Sequence, residues 1–339
     1  MPDRPLQVRD IGEPGLLQRL QAFCPPEVIG DDAAVFTTAP GRSLVVTTDV
    51  LVDGVHFSDR TTMPEDVGWR AVAANLSDLA AMGASPLGIT IGLSLPGDVT
   101  VEWVDRLYQG MTACLQPYGT AIVGGDIVRS PVITISITAF GDVDPNQVIR
   151  RSVAQPGEVI VVTGYHGSSR AGLELLLHPD LGQSLASNDR DLLIRSHQRP
   201  IPRLDVLPLL FPPSPSPTLP PIAGMDSSDG LADAIGQICR ASQVGARIDR
   251  GQIPIDPALQ AWVAPEQAID WALYGGEDFE LVLTLPPAQA QILISQLGKG
   301  AAIVGTTTSE PGVWLVDPAD RFPDQPLTLE SGFQHFGVG

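Results

Sequence analysis

AVAANLSDLAAMGASPLGITIGLSL (71–95) is the most apolar run of the chain, and Asp78 is its only charge. A membrane span of that length would carry no such interruption. Asn75, Asp78, Gly83 and Pro86 break the run. Proline cannot continue a helix, so Pro86 predicts a boundary between a buried helix before it and a buried strand after it. Val67, Ala71, Ala74, Leu79 and Met82 extend the apolar spacing upstream, predicting a helix over 64–83 that stops at Gly83.

The same alternation continues on both sides. SLVVTTDV (43–50) reads as a strand with a polar tip, and ITIGLSLP (89–96) as the strand after Pro86. A helix is predicted over 101–119, a strand AIVGGD (121–126) entering a glycine turn, and a strand over 132–141. A second unit opens at PGEVIVVTG (156–164), with Ser168 and Ser169 as caps of the next helix. Nine prolines in the 22 positions of 200–221 predict an extended surface loop. Helix 230–242, loop YGGED (274–278), strand 279–286, helix 292–298 and strand 301–308 follow. The fold class is α/β (α+β), in two domains, 1–148 and 149–339.

Composition narrows the function. The 339 residues carry 43% hydrophobic and 17% charged side chains, a folded rather than disordered balance. A net charge of −19 argues against a nucleic-acid surface. Cys24, Cys114 and Cys239 form no CxxC pair, which fits a cytoplasmic protein without zinc knuckles or disulfides. The N-terminus lacks the apolar core of a signal peptide.

Lysine occurs once, at Lys299, whereas seven aspartates recur in small-residue or glycine contexts. They are Asp31 and Asp32 (IGDDAA), Asp49 (TTDV), Asp78 (NLSD), Asp126 (VGGDIV), and Asp226 with Asp229 (MDSSDG). Proteins that grip phosphate directly spend lysines on it. Here carboxylates would hold divalent cations, and the cations would hold phosphate. Each motif has an ordinary reading as well. Asp31–Asp32 and Asp49 suit an exposed turn and strand end, Asp78 a helix cap or structural hydrogen bond. Asp126 suits a tight turn, and Asp226 with Asp229 the start of a helix. GYHGSSRAG (164–172) matches neither GxGxxG nor GxxxxGK[ST], and no GxSxG elbow is present. Of the five histidines, only His56 lies beside this chemistry in sequence.

Taken in order, the motifs form a recognisable set: GDDAA (30–34), TTDVLVDGVHF (47–57), ANLSDLAAMGASP (74–86), GGD (124–126), RRSVAQPGEVIVVTG (150–164), HQRPIPR (197–203), DSSDGL (226–231), YGGEDFEL (274–281) and GFQHF (332–336). The set resembles the thiamine-monophosphate kinase family, relatives of aminoimidazole ribonucleotide synthetase and selenophosphate synthetase. The resemblance runs from about residue 10 to 336. It implies a magnesium cluster at Asp31, Thr47, Thr48, Asp49, Asp78, Asp126, Asp226 and Asp229. It implies ATP contacts at Tyr108, Gly125, Asp126, Arg151 (with Arg150 adjacent) and Ser228. Substrate contacts would be His56, Glu277 and Phe333, the last stacking on the thiamine rings. The implied fold is a two-domain, synthetase-like one whose N-terminal α/β domain dimerises through its sheet. The implied reaction is direct phosphoryl transfer from ATP to thiamine monophosphate, with no side chain acting as acid, base or nucleophile.

Departures from the family pattern are Asp53, where glutamate is common, and a long proline run. Two alternatives stand beside this reading: another ATP-dependent synthetase of the superfamily, and a non-catalytic nucleotide- and metal-binding maturation factor. Residues 1–30 hold no lysine beside Cys24, unlike selenophosphate synthetases, and the chain ends HFGVG rather than in a cysteine.

Overall fold

The polar-tipped segment at 43–50 is an edge strand. In the computed structural model, which describes residues 4–26, 33–35, 37–212 and 220–328, it runs two residues further, to Val52. The chain divides into two units, one formed by 1–79 with 84–144, the other by 80–83 with 145–339.

In the first unit the order is α1 (Val8–Leu20), β1 (Ser43–Val52), α2 (Pro64–Ala81), β2 (Ser85–Leu95), α3 (Val101–Leu115), β3 (Ile122–Arg129) and β4 (Thr134–Val143). The four strands lie in the order β1-β4-β2-β3; β2 and β3 are parallel and the other pairs antiparallel. Side chains alternate between the faces of a strand, and residues opposite one another share a face. Asp49, Ile137, Ile91 and Gly125 therefore form one row across the sheet. Ile91 and Ile137 are buried, so this face lies against the core. The next row, Val50, Ser136, Gly92 and Asp126, belongs to the opposite face, where Val46 is 52% exposed and Val50 45%.

The helix and strand predicted around Pro86 are present, and Gly83 ends the helix with φ 74°. Pro86 itself is not the boundary, because it lies inside β2. Pairing with β3 begins only at Ile89, and the ladder to β4 shifts register between Pro86 and Gly88. At that point a missing N–H costs no central ladder bond. Among the described residues no helix is long and apolar enough to cross a membrane.

Gly124 and Gly125 also depart from expectation, lying within β3 rather than in a turn, with neither at positive φ. What Gly125 supplies is close approach. A Cβ there would stand 2.3 Å from the Ile91 carbonyl oxygen.

The second unit contains β5 (Val159–Val162), α4 (Ser168–Leu177), α5 (Ser187–Gln198), α6 (Leu207–Leu210), β6 (Ala223–Asp226) and α7 (Leu231–Ser242). It continues through β7 (Gly245–Asp249), α8 (Pro257–Trp262), α9 (Pro265–Tyr274), β8 (Leu281–Leu285), α10 (Pro287–Leu297), β9 (Ala302–Thr308), β10 (Val313–Val316) and β11 (Gln325–Pro326). Its seven-stranded sheet has the order β11-β10-β7-β9-β5-β8-β6, with only β7 and β10 parallel. Every residue of β8 is buried, which marks it as a strand covered on both faces.

Two further expectations are corrected here. The proline-rich stretch is not wholly extended: a helical turn at 204–206 leads into α6, with Pro208 in the first turn where its lost N–H is not needed. Ser168 and Ser169 do not cap α4 with their side chains. The N-cap is Gly167, and a carboxylate from the 274–280 loop does the capping.

The tight approach of β3 to β2 can be tested by stability. Gly125→Ala should lower the unfolding free energy by about 2 kcal/mol, as forced overpacking does. Gly124→Ala, whose Cβ meets Thr90 Cγ2 at an ordinary 3.5 Å, should cost much less. Urea denaturation of the two variants compares them; equal stability would contradict the close contact.

Candidate functional site

The predicted site residues fall in both units. In the first, Thr47 donates its hydroxyl hydrogen to the Asp78 carboxylate, tying β1 to α2. One turn earlier on α2, Asn75 accepts from the backbone N–H of Asp49 at 3.2 Å, and its own amide donates to the Ala71 carbonyl at 2.9 Å. Asn75 is completely buried, so its amide is spent on structure and fixes the backbone that carries Asp49. Thr47, Asp49 and Asp78 thus gather where the strand meets the helix. Thr48 is exposed and pairs with Thr138 Oγ1 at 2.9 Å.

Asp126 is exposed, and by the register it shares the opposite face with Thr48. β1 and β3 are separated by two intervening strands, about 14 Å at ordinary strand spacing. Separate ions, rather than one, would be needed to engage both Asp49 and Asp126.

His56 is held in a tight turn after β1, where Nδ1 accepts from Val52 N–H at 3.0 Å. Tyr108 is buried on α3 with its ring 5.5 Å from that of Phe23, and burial raises its phenol above the ordinary range. Asp31, Asp32 and Phe333 lie outside the described residues.

In the second unit Asp226 ends β6, and the loop after it carries Ser227, Ser228 and Asp229. Asp226 is buried, and Ser228 donates to its Oδ1 at 3.1 Å. Asp229 is exposed just before Gly230, the N-cap of α7. Arg151 is exposed and donates to Gln237 Oε1 at 2.5 Å; Arg150 N–H donates to the Ile222 carbonyl at 3.2 Å. Within either unit, no three His, Cys, Asp or Glu groups among the described residues form a ready cation cage. The donors are nonetheless all oxygen, carboxylates beside hydroxyls, which is the chemistry magnesium prefers.

Beneath these loops lies a buried polar network that the sequence did not reveal. His56 is not the sole histidine beside the chemistry. His166, fully buried, donates from Nδ1 to the Gly164 carbonyl at 3.1 Å and accepts at Nε2 from the Ser227 hydroxyl at 3.1 Å. Ser227 Oγ in turn accepts from Glu280 N–H at 3.2 Å. His197, also buried, lies 3.1 Å from Ser169 Oγ and 3.6 Å from Glu277 Oε2.

Glu280 is bound by Arg203 and by the Thr163 hydroxyl, the latter at 2.6 Å; burial raises its pKa while Arg203 pulls it back. Asp278 accepts from Gly167 N–H and Ser169 N–H at 2.7 and 2.9 Å. Burial pushes its pKa up to about 7, with the charges of Glu280 and Glu277 adding to the rise and the two backbone bonds opposing it. Only the three-dimensional approach of β5, β6 and β8 brings these residues together. The one signal in the sequence was the acid-rich EDFE (277–280).

Burial pushes His166 down to about 4, so it is neutral in the fold where a free imidazole would charge. As pH falls, the unfolded chain takes up this proton first. The contribution is therefore whole above pH 6.5 and is lost on the way to about 4. Asp278, with its raised value, acts in the opposite sense, favouring the fold at low pH and losing that favour as pH rises through about 7. The His166 share appears as the stability difference between the native protein and His166→Gln. That gap should widen as pH rises from 4 to 6.5, by at most about 1.4 kcal/mol per pH unit. Denaturant titrations across this range would measure it, and a flat gap would show that the imidazole titrates normally.

The AIR synthase related protein N-terminal domain family matches residues 30–143, and the AIR synthase related protein C-terminal domain family matches 155–317. A thiamine-monophosphate kinase of Synechococcus elongatus is 52% identical over 339 residues, which covers 99% of each chain. The crystal structure of thiamine-monophosphate kinase from Stenotrophomonas maltophilia aligns at TM-score 0.77 and 34% identity, over 88% of this chain and 95% of that one. AaThiL complexed with AMPPCP and TMP aligns at TM-score 0.71 and 32% identity, over 92% and 96%. With two domain matches in register and a full-length relative at this identity, the chain belongs to the thiamine-monophosphate kinase family.

Proposed function

We propose that this chain, an ATP-dependent kinase, transfers the γ-phosphoryl group of ATP directly to thiamine monophosphate in a magnesium-assisted, in-line step. The observation that carries the reading is the 52% identity over 339 residues to a thiamine-monophosphate kinase. The complex of AaThiL with AMPPCP and TMP, an ATP analogue together with an acceptor, supports the same substrate pair.

An oxygen of the acceptor phosphate bonds to the γ-phosphorus as the bridging P–O bond to ADP breaks; the products are thiamine diphosphate and ADP. The attacking phosphate is largely ionised near neutral pH, so no side chain has to remove a proton. Both reactants are anions in a chain of net charge −19. Magnesium ions supply neutralisation of that repulsion and alignment of the two phosphates when bound. The residues that would hold them are Asp31, Thr47, Thr48, Asp49, Asp78, Asp126, Asp226 and Asp229. The carboxylate–hydroxyl pairs Thr47–Asp78 and Ser228–Asp226 support this assignment, since both offer hard oxygen donors.

Tyr108, Gly125, Asp126, Arg151 and Ser228 would serve ATP. His56, Glu277 and Phe333 would serve the acceptor. Glu277 suits the cationic thiazolium or the aminopyrimidine. The open face of the first sheet, with Val46 and Val50 about half exposed, supports dimerisation by packing against a second copy. Three free cysteines suit the cytoplasm.

Phosphorus NMR of the purified protein with MgATP and thiamine monophosphate should show thiamine diphosphate and ADP forming in equal amounts; intact ATP would refute the reading. Asp78→Asn keeps the acceptor for Thr47 while removing the charge. It should lower turnover about 100-fold or more with the fold intact, a loss typical of removed transition-state charge stabilisation. Near-native turnover would remove Asp78 from the metal set. Val46→Glu should convert a dimer to a monomer in light scattering, and a native protein already monomeric at micromolar concentration would end the sheet-pairing proposal.

A further inference from the structure

Residues 275–280 follow α9 without regular structure, and their backbone is unusual. Gly276, Glu277 and Phe279 have φ of 67°, 58° and 53°. The left-handed region suits glycine but strains residues with a side chain, so two such residues around one position need external restraint. Asp278 sits between them. Its two carboxylate oxygens are taken by Gly167 N–H and Ser169 N–H, the first turn of the ten-residue α4.

The loop is stitched elsewhere too. Glu277 N–H donates to the Ser228 carbonyl at 2.7 Å, and Ser227 N–H donates to the Glu280 carbonyl at 2.9 Å. The α4 turn that Asp278 grips also presents Ser169 Oγ to His197, whose Nδ1 flanks the Glu277 carboxylate. Both the backbone and the side chain of Glu277 thus trace back to the anchorage made by Asp278.

We propose that Asp278 is a positioning residue for the transfer reaction, holding the left-handed backbone of Glu277 and so the direction in which the Glu277 carboxylate meets the acceptor. The inference rests on the reading of Glu277 as an acceptor contact. Asp278 touches no substrate in this account, because its oxygens are spent on α4. An amide in its place retains one acceptor oxygen and turns N–H toward N–H at the other, which releases the loop.

The test compares Asp278→Asn, Glu277→Gln and the double variant by steady-state kinetics. Asp278→Asn should raise KM for thiamine monophosphate about tenfold, the scale of one lost charge-assisted bond, and leave KM for ATP within about twofold. In the Glu277→Gln background it should add less than about twofold, since both act through the same carboxylate. Asp256→Ala serves as the structural control. Asp256 caps α8 by accepting from Ala258 N–H at 2.8 Å, and its loss should move neither KM.

Equal rises in both KM values, or additive effects in the double variant, would overturn the positioning role. So would an unchanged KM for the acceptor in a folded Asp278→Asn protein. If Glu277→Gln leaves that KM unchanged, the acceptor-contact reading fails and this inference fails with it. If Glu277→Gln raises it while Asp278→Asn is silent, only the positioning role fails.

Should Asp278→Asn not fold, Ser169→Pro deletes one of the two N–H donors within the first turn of α4, where no intrahelical bond uses it. Ser169→Ala removes only the hydroxyl. A higher KM for the acceptor in the proline variant than in the alanine variant isolates the Asp278 bond; equal values would overturn it.

Discussion

Repulsion between two phosphates is the constraint on which the site depends. A chain with one lysine and a net charge of −19 offers little direct charge against it. Its other 19 basic side chains are arginines, outnumbered by 39 acidic ones, and Arg151, the arginine proposed to meet ATP, hydrogen-bonds Gln237. The carboxylates are instead displayed beside hydroxyls: Thr47 with Asp78 in the first unit, Ser228 with Asp226 in the second. An arrangement that looks electrostatically wrong for an anionic substrate is the one that the proposed recruitment of cations calls for.

Displaying acids in this way carries a structural cost, which appears as buried polar bonding beneath the loops. Asn75 fixes the Asp49 backbone and closes its own account on α2. His166 supports Ser227, and Ser227 supports Glu280. Arg203 joins Glu280 to the Thr163 carbonyl, donating to the latter at 2.7 Å. Each of these groups is desolvated, and each has partners, as burial of polar atoms requires. The loops after β6 and before β8 are therefore set by a few short bonds to the sheet edge and to α4, rather than by regular structure of their own.

How much of this could be read from the sequence depended on the range of the interaction. Period and punctuation gave the elements: the apolar spacing of 64–83 became α2 with its stop at Gly83, and ITIGLSL became the inner part of β2. Pro86 misled because a proline is harmful in a strand only where its N–H would be used, and a local reading cannot see that β3 has not yet joined. The Gly124–Gly125 pair misled for the opposite reason. It reads as a turn, but glycine alone cannot say whether it serves a turn or a close approach to the Ile91 backbone. Ser168 and Ser169 looked like caps because the residue that does the capping, Asp278, lies more than a hundred positions away.

The site shows the same division. Aspartates in small-residue loops advertise themselves, since a carboxylate recurring among glycines, serines and threonines is a local pattern. Residues that aim those loops do not, because Asp278, His166 and His197 resemble any acid or imidazole until β5, β6 and β8 align. The loop 275–280 carries this furthest. YGGED (274–278) reads as a loop and 279–286 as a strand, which says nothing of where the acids point; Asp278 turns inward onto the amides of α4 and Glu280 onto Arg203. With those two anchored on either side of Phe279, Glu277 is left partly exposed, its carboxylate met by His197. Its neighbours are spent on structure, and the carboxylate beside them is the one proposed above to meet the acceptor.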